Sequence, residues 1–102
     1  MSHQLTTRKL LTVICEADLE RAVTADLVRA GASGYTVSDV RGHGVHGERD
    51  GLWPPSANIR IEVLCDQTLA ESAAFDLKSC YYERYGMVIF IADVQVLRPD
   101  KF

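Results

Sequence analysis

The order in which strand-like and helix-like patterns follow one another restricts the fold of this chain more than any other feature. Each half of the 102 residues contains a strand, a helix and a second strand, and a long connection separates the halves. Two β-α-β halves in so short a chain predict one small α+β domain. The predicted strands lie at residues 10–15, 35–40, 59–65 and 87–97, and the predicted helices at residues 16–31 and 68–85.

Branched apolar side chains and their alternation indicate the strands. Residues 10–15 form a continuous apolar run with a single threonine, which predicts a strand buried on both faces. In residues 59–65 apolar side chains alternate with Arg60 and Glu62. A period of two is typical of a strand with one mostly solvated face.

Apolar residues at helical spacing indicate the two helices. Gly31 predicts the end of the first helix, because glycine readily adopts the left-handed conformation found after helix C-termini. Thr68 and Glu71 have the spacing of a capping box, which predicts the start of the second helix. The apolar stripes comprise Leu19, Ala22, Val23, Leu27 and Ala30 in the first helix, and Leu69, Ala73, Leu77 and Cys80 in the second.

This element order predicts the ferredoxin-like split βαβ arrangement, βαββαβ, over residues 1–102 as a single domain. Its sheet is antiparallel, with both helices on one face and a long loop between the second and third strands. The other face is left uncovered, and Arg60, Glu62 and Asp93 are expected to keep part of it in solvent. A small domain of this kind often completes its burial by self-association, so we expect an oligomer.

Composition and charge argue against several classes of protein. A formal net charge of −3 and a pI near 5.5 argue against a nucleic-acid binder, which needs clustered lysine and arginine. No apolar run approaches the ~18 residues of a membrane span, and no signal peptide is indicated. A cytoplasmic protein that is not inserted in a membrane is the expectation.

The three cysteines, Cys15, Cys65 and Cys80, form neither an even set nor a Cys-x-x-Cys pair. Neither a disulfide framework nor a zinc site is therefore indicated. Each cysteine lies within an apolar pattern, which predicts a thiol packed in the core. An alternative is redox pairing of Cys15 with Cys65, because both end strands that we expect to be parallel neighbours.

The connection at residues 41–58 is too long for a hairpin turn and is therefore the segment in which we expect activity. It matches G-x-G-x-x-G from Gly42 to Gly47, but Gly51, Pro54 and Pro55 follow where a dinucleotide fold needs a helix. Backbone N–H groups of such a loop can nevertheless converge on an anion. The alternative is a surface loop whose glycines provide flexibility alone.

The residue types alone also allow a metal site, a docking site for a partner, or a pair of catalytic carboxylates. His43, His46 and Glu48 are the types of ligand that suit zinc or copper, although a loop offers no rigid cage. Trp53, which precedes two prolines, suits either partner docking or packing on the domain's own surface. Glu62 and Asp93 could form a carboxylate pair, but charged residues on solvated strand faces are more common. The sequence contains no G-x-S-x-G, H-E-x-x-H, S-x-x-K or Walker A pattern.

Four segments carry a resemblance to the PII signal-transduction superfamily. They are residues 31–37 (Gly-Ala-Ser-Gly-Tyr-Thr-Val), 42–44 (Gly-His-Gly), 59–64 and 85–91. The resemblance extends from residue 9 to about residue 97. It is strongest to the PII-like branch associated with bicarbonate transport and carboxysomes.

The resemblance implies a homotrimer that binds adenine nucleotides in clefts between subunits and whose mobile T-loop corresponds to residues 41–58. Residues 34–37 would line the adenine and ribose, residues 62–64 and 86–90 would come from the subunits flanking the cleft, and the loop base would meet the phosphates. The implied nucleotide-binding residues are Gly34, Tyr35, Thr36, Val37, Gly42, His43, Gly44, His46, Arg49, Glu62, Val63, Leu64, Gly86, Met87, Val88, Ile89, Phe90 and Arg98.

Departures from the family pattern refine this expectation. Val88 stands where classical PII proteins have a lysine, which favours ADP or AMP over ATP. His43 and His46 replace basic residues, so attraction for phosphate should depend on pH near neutrality. The loop has no tyrosine for uridylylation and no glutamine for 2-oxoglutarate with magnesium.

The resemblance therefore implies a non-enzymatic sensor with no catalytic cofactor. ADP or AMP, with bicarbonate as a second candidate anion, would order the T-loop and change its fit to a protein partner. That partner is expected to be a transporter or a carboxysome component in inorganic-carbon metabolism. Two alternatives are a divalent-metal-binding trimer of the cation-tolerance type, which shares the fold, and a nucleotide hydrolase.

Overall fold

The structure, a computed structural model, describes residues 4–42 and 58–102. Within them the elements follow the order that the sequence predicts. The strands are β1 (Thr6–Glu16), β2 (Thr36–Val40), β3 (Asn58–Cys65) and β4 (Val88–Val96), the helices are α1 (Glu20–Ala30) and α2 (Gln67–Tyr81), and short 3-10 helices span Ala17–Leu19 and Pro99–Lys101.

The four strands form one antiparallel sheet in the order β2-β3-β1-β4. Alternate side chains of β1 and β3 point to the helices and form the core, together with the inner faces of α1 and α2. The split βαβ prediction is confirmed. The buried apolar residues are Leu11, Val13, Cys15, Leu19, Val23, Leu27, Ile59, Ile61, Val63, Cys65, Ala70, Ala73, Leu77 and Met87.

The central strand β1 is longer at both ends than its apolar run predicts. Both of its edges are hydrogen-bonded, Thr6 lying opposite Val96 in β4 and Glu16 opposite Asn58 in β3. Pairing on both edges provides hydrogen-bond partners for the backbone groups of the polar residues at each end of β1. Strand pairing, and not the side-chain pattern, therefore sets the length of β1. Thr12 is buried on the face opposite the helices, where Ile14 is only partly buried.

Helix α1 ends as predicted, but its buried stripe differs. Gly31 has a φ of 113°, and its N–H bonds the Val28 carbonyl at 3.0 Å. Ala22 and Ala30 are exposed, whereas Thr24 is buried and donates its hydroxyl to the Glu20 carbonyl at 2.8 Å. A hydroxyl that bonds its own helix satisfies its polar group, so a threonine can occupy a core position that the apolar pattern missed.

Helix α2 begins at a different residue from the one predicted. The carboxylate of Asp66, not the hydroxyl of Thr68, caps the helix by accepting the Leu69 N–H at 2.8 Å. Gln67 donates its side-chain amide to Glu71 at 2.9 Å. The capping-box assignment at Thr68 and Glu71 was therefore wrong, because the helix starts one residue after Asp66 and Thr68 lies inside its first turn.

Replacing Asp66 by alanine is expected to lower the free energy of unfolding by about 1 kcal/mol, because the Leu69 N–H loses its acceptor. Thr68→Ala is the matched control and should cause no loss of stability, because Thr68 is exposed within the helix and alanine is the better helix former. Urea denaturation of both variants at equal protein concentration provides the comparison. Equal losses for the two variants would contradict the assignment of the cap.

The two helices are joined by a polar contact between a side chain of α1 and one of α2. The Tyr81 hydroxyl donates to the Asp26 carboxylate at 2.6 Å, and Arg29 forms an ion pair with the same carboxylate. Burial, with the hydrogen bond to Asp26 as a further cause, raises the pKa of Tyr81. In the part of the chain that the structure describes, neither helix is long and apolar enough to span a membrane.

Candidate functional site

The face of the sheet opposite the helices, here called the open face, is divided into two chemically different regions. Along β2 and β3 it presents the polar side chains of Thr36, Ser38, Arg60 and Glu62. Along β1 and β4 it presents an apolar strip, together with Arg8 and the buried Thr12 of β1. The apolar strip comprises Leu10, Ile14, Val88, Phe90, Ala92, Val94 and Val96.

One row of side chains crosses the open face from edge to edge. Thr36 lies opposite Glu62, Glu62 opposite Thr12, and Thr12 opposite Phe90. Three strand spacings separate Thr36 from Phe90, which is about 14 Å. The predicted contacts in β2 and β4 therefore lie on opposite edges of the protomer.

The segment that enters β2 is accessible to a ligand. Gly34 is exposed, and a Cβ at this position would meet no atom within 4 Å. Tyr35 is half-exposed, Thr36 is exposed on the open face, and Val37 packs against the core. Gly34 can therefore offer its main chain, and Tyr35 and Thr36 can offer both side chain and main chain, whereas Val37 is partly covered.

The predicted contacts in β3 and β4 divide between the two faces. Glu62 and Leu64 are half-buried on the open face, and the side chains of Val63 and Met87 are in the core. A ligand could therefore reach only the main chain of those two residues. The same alternation turns Ile89 toward the helices, where it packs against the core, and leaves Val88 and Phe90 about half-exposed on the open face.

The remaining predicted contacts mark two opposite ends of the sheet. Gly42 is exposed two residues after Val40, near the end of β1 at Glu16, and Gly86 precedes β4 at the same end. Arg98 is exposed two residues after Val96, which pairs with Thr6 at the other end. Ten strand residues, about 33 Å, separate Thr6 from Glu16. No single small ligand on one protomer can contact both ends.

The loop carries predictions that lie outside the described residues. These are the nucleotide contacts His43, Gly44, His46 and Arg49, the proposed metal ligand Glu48, and Trp53. The described residues contain no group of three His, Cys, Asp or Glu side chains placed to hold a metal ion. The anion-binding loop and its metal-binding alternative both remain predictions.

The carboxylate pair suggested by the sequence does not form. Glu62 faces the open side of the sheet, whereas Asp93 lies on the helix side and forms an ion pair with Lys9, its cross-strand neighbour. The expectation that Asp93 helps to solvate the open face was therefore wrong. Alternation puts Val94 and Val96 on that face instead, which makes it more apolar than expected.

The redox pairing of Cys15 with Cys65 is also wrong. Because β1 and β3 are antiparallel, Cys15 lies opposite Ile59, whereas Cys65 lies opposite Lys9 at the other end of the pair. Six strand residues, about 20 Å, separate the two positions, far beyond the reach of a disulfide. Cys15 and Cys65 are buried as predicted, but Cys80 is exposed.

Thiol reactivity follows from this burial. Desolvation raises the pKa of Cys15 to about 11, and also raises that of Cys65, so neither carries appreciable thiolate at neutral pH. We expect a thiol reagent to modify one cysteine, Cys80, in the native protein and all three after denaturation. Cys80→Ser should leave the native protein unreactive. Rapid modification of a second native thiol would contradict this burial.

A cavity of about 330 Å³ lies between α1 and α2 and contains none of the predicted nucleotide contacts. Its polar lining includes Asp26, Arg29, Asp76 and Ser79. The helix layer separates it from the open face. The predicted nucleotide site and this cavity are therefore distinct surfaces of the protomer.

Two residues of β1 on the open face, Thr12 and Arg8, were not predicted from the sequence to be part of the site. Thr12 is buried in the middle of the row that joins Glu62 to Phe90. The sequence feature that could have identified it is that it is a polar residue within an apolar run. Arg8 donates from Nη2 to the Pro99 carbonyl at 3.3 Å, a contact between segments 91 residues apart. No local pattern could predict the second contact.

Solved structures of other proteins share this fold over almost the whole chain. A solved structure of CPII from Thiomonas intermedia K12, bound to ADP and bicarbonate, is 31% identical and superimposes with a TM-score of 0.84 over 99% of both chains. Another structure of CPII, bound to ADP, AMP and bicarbonate, is 30% identical over 99% of this chain and 98% of its own, with a TM-score of 0.83.

A protein from Thermus thermophilus described as a PII-like signaling protein is 31% identical over 97% of this chain and 98% of its own, with a TM-score of 0.81. No curated protein sequence matches the chain. The sequence profile of the nitrogen regulatory protein P-II family matches residues 8–101. This chain therefore belongs to the P-II family.

Proposed function

We propose that this protein is a non-enzymatic, PII-like signalling protein that binds ADP or AMP between the protomers of a homotrimer. The similarity to CPII in complex with ADP, AMP and bicarbonate, over almost the whole of both chains, is the observation that carries the proposal. Family membership supports a regulatory role, because the P-II profile covers residues 8–101. The nucleotide acts as a signal and is released unchanged.

The arrangement of the predicted contacts supports a cleft between protomers. Gly42 and Arg98 belong to opposite ends of the sheet, and Thr36 and Phe90 to opposite edges. A nucleoside diphosphate is much shorter than the ~33 Å between the ends. Gly42 and Arg98 can therefore reach one ligand only if they come from different protomers.

The apolar strip supports the trimer. It exposes about half of Val88 and of Phe90, together with the neighbouring Ala92, on a sheet face that no helix covers. Burying that face against other copies of the chain removes apolar surface from water, at roughly 25 cal/mol per Å². The polar side chains of β2 and β3 are then left at the boundary of the contact, beside Gly34.

The choice of nucleotide follows from the charges available at the site. Val88 is apolar and half-exposed where a classical PII protein has a lysine, so a γ-phosphate gains no ion pair there. Arg98 and, in the loop, Arg49 are the proposed phosphate-binding cations, and His43 and His46 add positive charge when they are protonated. We therefore propose that ADP and AMP bind more tightly than ATP.

Bicarbonate is the second proposed ligand, at the base of the T-loop near Gly42. A planar anion there would accept hydrogen bonds from backbone N–H groups of the glycine-rich segment. Nucleotide and bicarbonate together would select one shape of residues 41–58 and so the partner that it fits. We propose a cytoplasmic transporter-associated or carboxysome-associated partner in inorganic-carbon metabolism, in line with the bicarbonate in the CPII structures.

Isothermal titration calorimetry with AMP, ADP, ATP and cyclic AMP, with and without bicarbonate, tests this proposal. We expect ADP and AMP to bind with one site per protomer, and ATP more weakly. Bicarbonate should increase the affinity for ADP if both ligands favour the same loop shape. Absence of heat from all four nucleotides would overturn the proposal.

Two further measurements separate the proposal from its alternatives. Zinc or copper titrated into the native protein and into a His43→Ala, His46→Ala double variant tests the metal-binding trimer. Prolonged incubation with ATP, followed by analysis of the products, tests the nucleotide hydrolase. Binding of metal that is lost in the double variant, or steady release of phosphate, would favour the corresponding alternative.

A further inference from the structure

Two long-range hydrogen bonds hold the turn that follows β4. The hydroxyl of Ser33 donates to the carbonyl of Lys101 at 2.9 Å, across 68 residues of sequence. The guanidinium of Arg8 donates from Nη2 to the carbonyl of Pro99 at 3.3 Å. Together these bonds connect the Pro99–Lys101 turn to both the end of α1 and the central strand.

The turn is well defined by its own bonds as well. The N–H of Lys101 donates to the carbonyl of Arg98, and that of Phe102 to the carbonyl of Pro99, both at 3.2 Å. The ring of Pro99 restricts its own φ and the backbone of the preceding residue. The carbonyl of Pro99 therefore accepts one bond from within the turn and a second from Arg8.

These contacts restrain Arg98 from both sides. On one side Val96 is paired with Thr6 in the sheet, and on the other Pro99 is held by Arg8. The side chain of Arg98 is exposed, and no described residue forms a hydrogen bond or ion pair with its guanidinium. A restrained backbone with an uncommitted cation is a suitable arrangement for binding an anion.

Ser33 also directly precedes Gly34, the first of the proposed nucleotide contacts. Its hydroxyl therefore links the segment that enters β2 to the turn that carries Arg98. A ligand that shifts the backbone at Gly34 would also shift the adjacent Ser33, whose hydroxyl bonds the Lys101 carbonyl. The hydrogen bond therefore joins these two segments within one protomer.

We propose that Ser33 and Arg8 are positioning residues that hold Arg98 for the nucleotide, and that Ser33 couples ligand contact at Gly34 to the Pro99–Lys101 turn. This inference rests on the proposed function. Neither residue needs to touch the ligand. Ser33 acts through a hydrogen bond to the main chain of the turn, and Arg8 through its bond to Pro99.

A double-mutant cycle on ADP affinity tests the coupling. Ser33→Ala should weaken ADP binding about threefold to tenfold, the loss expected when one hydrogen bond that orders the site is removed. Ser33→Thr keeps the hydroxyl and should restore the affinity. In an Arg98→Ala background, Ser33→Ala should have no further effect, because the residue that it positions is gone.

Two controls separate positioning from general stability. Ser72→Ala removes an exposed hydroxyl on α2 and should leave the affinity for ADP unchanged. Arg8→Lys, which retains the charge but loses the Nη2 donor, should weaken ADP binding and should also lose this effect in the Arg98→Ala background. Amide exchange at Lys101 should be faster in Ser33→Ala than in the wild type without nucleotide.

The outcomes distinguish this inference from the proposed function. If the wild type binds ADP and Ser33→Ala binds it equally well, the coupling is wrong while the proposed function stands. If Ser33→Ala lowers the affinity for ADP by the same factor in the wild type and in the Arg98→Ala variant, the coupling is also wrong. If the wild type binds no adenine nucleotide, the proposed function fails, and the role of Arg98 fails with it.

Discussion

Ala92→Asp is expected to convert the proposed trimer into monomers and to abolish measurable binding of ADP. Ala92 is exposed in the protomer and lies in the apolar strip, opposite Leu10 of the central strand. The isolated protomer therefore tolerates the carboxylate, but an interface would have to bury it without a partner at a cost of several kcal/mol. At 1.4 kcal/mol per factor of ten, affinity for ADP should fall at least about a hundredfold.

Ala25→Asp is the matched control for this experiment. Ala25 is also exposed, on the solvent side of α1, and the change introduces the same charge. It should leave both the oligomeric state and the affinity for ADP unchanged. Sedimentation equilibrium and calorimetry on the two variants measure these quantities. A trimer that survives Ala92→Asp with wild-type affinity would show that the open face is not the interface.

Leu27→Ala should give the largest loss of stability, lowering the free energy of unfolding by about 3 kcal/mol. The Leu27 side chain is completely buried in the core, and its carbonyl also accepts a hydrogen bond from Ala32 at 3.0 Å. Truncation leaves a cavity between α1 and the sheet, which the rigid strands cannot fill. The side chain is remote from the open face, so affinity for ADP should change little once the protein is folded.

Val28→Ala provides the control one residue further along the helix. Val28 is 56% exposed, so its truncation should change the free energy of unfolding by less than about 0.5 kcal/mol. Both variants are compared by urea denaturation at equal protein concentration, because the stability of an oligomer depends on concentration. Similar losses at the two positions would contradict the assignment of the core.

Much of the fold was predictable because local chemistry and global packing agree. The alternation in residues 59–65 and the stripe through Val23 and Leu27 each identify the face that is buried. Gly31 ends α1 where expected, because its φ of 113° is one that other residues rarely adopt. The errors at the start of α2 and at Thr24 arose where a polar side chain bonds a nearby backbone group, which hydrophobic periodicity does not report.

The sequence could suggest only part of the proposed site. Segments such as residues 34–37 are contiguous, so a local resemblance can identify them. The proposed roles of Arg8 and Ser33, in contrast, rest on hydrogen bonds to residues 91 and 68 positions away. Such contacts have no signature in either segment taken alone.

Short-range patterning is therefore sufficient to specify the order and type of the six main elements, since strand alternation and helix periodicity depend on neighbours a few residues apart. The direction and register of the strands, in contrast, could be determined only from the folded sheet. They exclude the pairing of Cys15 with Cys65, separate Glu62 from Asp93 and place Ala92 on the apolar strip. The physical reason is that antiparallel pairing joins residues distant in sequence, and a single position of register decides which face each side chain occupies.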